Sequence, residues 1–100
     1  MTRAVASPAE QRIGVLAWLA RQQRRPTWSV REVALGASLP DADVRWTLEA
    51  LAREGLAAGL PARYGVGYRL TRAGREAGEE ARQAAEAGRV WGRYSRAPEE

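Results

Sequence analysis

Asp41-Ala42-Asp43-Val44-Arg45-Trp46-Thr47-Leu48-Glu49-Ala50-Leu51-Ala52-Arg53-Glu54-Gly55-Leu56 is the stretch on which the reading of this chain turns. Val44, Leu48 and Leu51 recur at i, i+4 and i+7, the apolar stripe of a helix that begins near Pro40 or Asp41. Gly55 is a helix stop, because glycine enters the left-handed conformation of a C-terminal cap without a Cβ penalty. Beyond it the period changes from helical to alternating, with Leu56, Ala58 and Leu60 able to share one side of a strand.

Upstream, Ser29-Val30-Arg31-Glu32 is a capping box that opens a shorter helix. Val30, Val33 and Ala34 are expected to face inward, with Gly36 as the stop and Leu39 anchoring the turn to Pro40. A second capping box, Ser7-Pro8-Ala9-Glu10, starts a first helix that should run from Pro8 to about Gln23. Ile13, Leu16, Ala17, Leu19 and Ala20 supply its inward positions, and Pro26 ends the segment. Thr27-Trp28 suits a brief strand. Downstream, Pro61 to Gly65 reads as a loop and Val66, Tyr68 and Leu70 as a return strand. Thr71 is a plausible N-cap for a last helix reaching about Trp91, whose Gly74, Gly78 and Gly88 each cost about 1 kcal/mol relative to Ala and call for outside support.

One hundred residues suit a single domain with one modest core. All sixteen basic residues are Arg, a usage that looks like coding bias, so the net charge of +4 is weak evidence for a polyanionic partner. With no Cys and no His there is no disulfide, no thiolate nucleophile, no zinc site of the Cys/His type and no His base. No acid/base constellation and no phosphate-binding glycine loop is recognisable, so neither enzymatic activity nor a cofactor or metal is expected. No run approaches the roughly 18–20 apolar residues of a membrane span, and no signal peptide opens the chain, so a cytoplasmic location is the default.

Two motifs carry a resemblance. The arrangement V-x3-L-x2-L-x3-G-L at Val44, Leu48, Leu51, Gly55 and Leu56, followed by Tyr68-Arg69-Leu70-Thr71-x2-Gly74, resembles the winged helix-turn-helix superfamily. The second motif looks like the end of the wing in bacterial regulators of the MarR and PadR type. The resemblance covers roughly residues 8–90 and implies an α+β, mainly α fold: a three-helix core, a β-hairpin wing and a C-terminal helix. The expected organisation is a tail at 1–7, the winged-helix domain at 8–71, a helix at 72–95 available for dimerisation, and a tail at 96–100.

The resemblance implies double-stranded DNA as partner, read by the third helix in the major groove with the wing on the backbone or minor groove. On that helix Arg45, Trp46, Glu49 and Arg53 face outward: Arg45 suits guanine, Trp46 a thymine methyl or sugar, and Glu49 a cytosine amino group. Arg63 and Tyr64 at the wing tip and Arg69 on the return strand are further candidates, as are Arg24, Arg25, Ser29 and Arg31 for phosphate near the second helix. Against these, Asp41 to Glu54 holds two arginines and four acids, a net of −2 that sits badly beside phosphate. On the last helix Ala73, Ala77, Ala81, Ala84 and Gly88, continued by Trp91, form a stripe of small residues suited to a homodimer interface or to the chain's own first helix, and Tyr94 adds a late aromatic. The leading expectation is a small sequence-specific transcriptional regulator. The alternatives are a protein-interaction module, docking on a polymerase, replication or regulatory partner, and a non-specific architectural DNA-binding protein.

Overall fold

A computed structural model of the chain describes residues 6–22, 25–63 and 65–95, with side chains as far as 86 except 85. The elements run α1 (Pro8–Arg21), α2 (Val30–Ala37), α3 (Asp41–Arg53), β1 (Ala57–Ala62), β2 (Gly65–Leu70) and α4 (Arg72–Ser95). Both capping boxes form: Glu10 N donates to Ser7 Oγ and Ser7 N to Glu10 Oε1, and the same exchange links Ser29 and Glu32. Val44, Leu48 and Leu51 are fully buried, and with Val15 and Val33 they make the centre of the core.

The end of α3 follows the sequence pattern closely. Gly55 takes φ +80°, Leu56 N donates to Leu51 O, and Gly55 N donates to Ala52 O. This double cap satisfies two of the carbonyls a helix end leaves open and turns the chain into β1. β1 and β2 pair antiparallel from Ala57↔Leu70 to Ala62↔Gly65. Trp28 adds a short third rung on the other edge of β2, exchanging backbone hydrogen bonds of 2.8 Å with Tyr68 in both directions. The Trp28 ring meets Trp18 edge to face at 5.2 Å and so ties the ribbon to α1.

Several local expectations are corrected. α1 ends at Arg21, not near Gln23. Ile13 is 40% exposed, while Val15, two positions on, is the buried residue of that turn. Gly36 does not stop α2; the helix runs one residue further and Ser38 adopts the left-handed conformation at φ 60°. Gly36 serves packing instead, since a Cβ there would lie 2.1 Å from the Trp18 ring. Pro61 and Ala62 belong to β1, which shortens the hairpin connection to Arg63 and residue 64. Ala57 is the buried residue at the base of the ribbon, and Val66 is 51% exposed rather than inward.

Gly74 and Gly78 of α4 find their support within the chain. A Cβ on Gly78 would come within 2.9 Å of Leu16 O and 2.8 Å of Ala20 Cβ, and one on Gly74 would strike Leu56 O at 1.8 Å. Their small size lets α4 lie directly on α1 and on the start of the ribbon. Ala81 is buried in the common core and Ala77 packs against it. The small-residue stripe is therefore spent, at Ala77 and Ala81, on the chain's own interior. Intramolecular packing buries Ala81 and leaves Ala77 half-buried. Ala84 is exposed, whereas the side chains of Gly88, Trp91 and Tyr94 lie outside the described residues.

Candidate nucleic-acid interface

Three elements converge on one open cleft of about 470 Å³: the N-terminus of α2, the outer side of α3 and the ribbon. Ser29, Arg31, Asp41, Arg45, Glu49 and Val66 are among the residues lining it. Arg45 and Glu49 are exposed and lie one helical turn apart, and among the described residues neither makes a hydrogen bond or ion pair. A second cleft continues past Arg31 toward the ribbon tip and brings Arg25 and Arg63 alongside Ser29 and Val66. Ser29, Arg31 and Val66 line both clefts, with Arg45 in the first and Arg63 in the second.

The awkward charge of α3 is largely resolved by tertiary partners. Arg31 reaches from α2 to Asp41 at 3.3 Å, and Arg12 reaches from α1 to Glu54 at 2.7 Å. Gln11 Nε2 donates to Asp43 Oδ2 at 3.1 Å, and Asp43 is half-buried, so it does not share the outward side of α3. Three of the four acids counted against nucleic acid are therefore engaged within the chain. Hydrogen bonding from Arg12 holds the Glu54 carboxyl below the usual carboxylate range and raises the Arg12 guanidinium in turn. Each ion pair is solvent-exposed and adds little to stability. Their effect on the local field matters more here. Among the described residues, Glu49 alone is left as an unengaged acid on α3.

The remaining candidates separate. Ser29 Oγ is an acceptor for its own helix, which leaves its hydroxyl proton available to an anion. Arg25 pairs with Glu32 and lies 4.4 Å over the Trp28 ring, a cation–π contact that pins it to the ribbon base. The backbone donor of Ser29, followed by Arg25, holds the Glu32 carboxyl below its ordinary range. Arg69 is exposed on β2 but lines a different cleft, with Arg25, Arg75, Trp28 and Leu19, and does not join Arg45. Arg75 is the cationic group that the sequence reading missed; its position four residues after Thr71 on the first turn of α4 is the only signal for it. Arg53 is exposed near the end of α3. Arg24 and Tyr64 lie outside the described residues.

Trp46 is 61% exposed and borders a small, mainly apolar notch with Pro8, Ala9, Arg12, Ala50 and Glu54. It flanks α3 on the side of α1, away from the cleft that holds Arg45.

Solved structures share this arrangement of elements. Bordetella bronchiseptica BpsR, in a study of how 6-hydroxynicotinic acid regulates its DNA binding, aligns at a TM-score of 0.67 with 28% identity. That match covers 77% of this chain and 55% of BpsR. A Ralstonia eutropha JMP134 protein proposed to bind DNA aligns at 0.61 with 26% identity, over 75% of this chain and 95% of its own. A MarR family protein from Bacillus stearothermophilus aligns at 0.61 with 22% identity, over 92% of this chain and 63% of its own. The fold is that of a MarR-like winged helix. α3 is the third helix of this fold and the β1–β2 ribbon its hairpin. The chain spans little more than half the length of BpsR. No protein-family model matches the sequence, and no curated protein matches it. Among the described residues, no helix is long and apolar enough to cross a membrane.

Proposed function

We propose that this winged helix binds double-stranded DNA sequence-specifically and acts as a small transcriptional regulator. The observation that carries the reading is the pair of adjacent clefts that share Arg31 and hold Arg45 and Arg63, beside a third helix whose acids are mostly engaged internally. α3 enters the major groove, where Arg45 and Glu49 meet base edges and Trp46 and Arg53 lie at the rim. The wing, with Arg63 at its tip, and the start of α2, with Ser29 and Arg31, follow the phosphates. Arg25 and Arg69 flank this contact from the base of the wing. BpsR, whose DNA binding is regulated, and the Ralstonia eutropha protein proposed to bind DNA support DNA as the partner. A homodimer formed through the distal part of α4, with Ala84 at its edge, would place two recognition helices on a palindromic site with half-sites roughly 10 base pairs apart.

Fluorescence anisotropy with duplex DNA at about 50 and about 200 mM salt tests this. Expected are binding at the lower salt, a steep loss at the higher, and weakening by Arg45→Ala and by Arg63→Ala. Absence of binding at low salt, or no response to either substitution, rejects the reading. Exposed Trp46 in its apolar notch favours a second reading, a protein-docking module. That reading gains if Trp46→Ala abolishes regulation in cells while duplex affinity is unchanged.

A further inference from the structure

We infer that Glu49, acting with Arg45, restricts the DNA site to one containing a C·G pair, by accepting a hydrogen bond from the cytosine N4 amino group and repelling sites that lack it. The inference rests on the proposed DNA reading and assigns the site's sequence chemistry.

Two observations lead there. First, Glu49 has been left unengaged where its neighbours have not. Asp41 has Arg31, Asp43 has Gln11, and Glu54 has Arg12, but among the described residues Glu49 has no partner. Arg45 lies one turn away, close enough for an i,i+4 ion pair, yet the pair is not formed. Second, both side chains line the cleft between recognition helix and wing, on the side that would meet the duplex.

A lone carboxylate in that place opposes phosphate approach on every sequence. Among the base edges of the major groove, the cytosine N4 amino group is the donor that a Glu side chain pairs with, and guanine O6/N7 is the acceptor pair that Arg fits. The two residues are about 6 Å apart along the helix axis, under two base-pair steps of about 3.4 Å, so they read the same or neighbouring pairs. Glu49 thereby acts as a filter. It weakens binding to most sequences and is compensated only where a cytosine amino group is offered, so its contribution is discrimination rather than affinity.

The test selects bound fragments from a random duplex pool with the full chain, wild type and Glu49→Gln, followed by anisotropy on the selected site. The wild-type pool is expected to fix a C·G pair at one position of each half-site. Changing that pair to T·A should weaken wild-type binding about tenfold, whereas Glu49→Gln should feel the change by less than about twofold. The variant should also bind random-sequence duplex more tightly than wild type does. Because Glu49 is exposed, the variant should keep the wild-type melting temperature, which a thermal scan checks. A pool with no fixed cytosine, one that fixes adenine at that position, or an undiminished penalty in Glu49→Gln overturns the inference while leaving DNA binding standing. Failure of the wild type to bind any duplex at low salt overturns both.

Discussion

The two flanks of α3 differ in how their charges are used. Toward the hairpin, Arg45 and Glu49 stand in an open cleft one turn apart, without partners among the described residues. Toward α1, the charges are joined as Arg12–Glu54, and what is left exposed is the apolar Trp46 beside Ala50. One short helix therefore offers a chemically reactive edge and a chemically quiet one. A carboxylate left free on a folded surface is costly to bring against a polyanion unless it is matched, whereas charges already joined carry little information for a ligand. The wing side is where sequence discrimination can arise. The α1 side is where shape and apolar contact dominate.

The comparison can be broken most severely from underneath. Leu48 is fully buried beneath both flanks, and Leu48→Ala should lower stability by about 2–5 kcal/mol, measured by urea denaturation, and abolish both surfaces together. A loss below about 1 kcal/mol would mean that α3 is held from elsewhere. On the wing flank, Arg45→Ala should cost about 1–3 kcal/mol in affinity for the selected site, while Trp46→Ala on the other flank costs less. Equal losses in an anisotropy titration would erase the distinction between the two sides.

Ser38→Gly should leave both flanks alone. It relieves a left-handed serine in the turn that launches α3, and it should raise stability by about 1 kcal/mol with DNA affinity unchanged. The smallest effect concerns acid. Glu54 is held below its ordinary carboxylate range by Arg12, so its contribution is present at neutral pH and is lost as pH falls through the lowered folded value. Arg12→Met removes that cause. Its melting temperature should fall slightly less than wild type between pH 7 and about pH 3, and an identical acid slope would show that the pair contributes nothing measurable.

Much of the fold was legible because it rests on short-range chemistry. Ser7, Ser29 and Thr71 announce helix starts through hydrogen bonds that close within three residues, and Thr71 Oγ1 does accept from Gly74 N. Val44, Leu48 and Leu51 announce the core through spacing alone. Gly55 does so through a backbone angle that few other residues tolerate. The misreadings fall where a distant residue decides. Gly36 looked like a helix stop, but Trp18 from α1 lies across it. Ala77 and Ala81 suited a second subunit or the chain's own first helix equally well, and only the fold puts Ala81 in the core with Ala77 packed against it. Arg45 and Glu49 were legible as outward positions, whereas Arg75 and the division between the Arg45 and Arg69 clefts were not, since both depend on how the ribbon lies against its neighbours.

The chain's own order of residues determined the elements, their caps, the apolar seam of α3 and the identity of the side chains offered outward, because each follows from contacts within a turn or two of helix or strand. Tertiary structure alone decided which of those charges are already joined. Asp41 and Arg31 are ten positions apart and Arg12 and Glu54 forty-two, distances over which no local rule operates. The unfavourable charge counted along α3 is thus a property of the sequence, and its near-cancellation, which leaves Glu49 exposed beside Arg45, is a property of the fold.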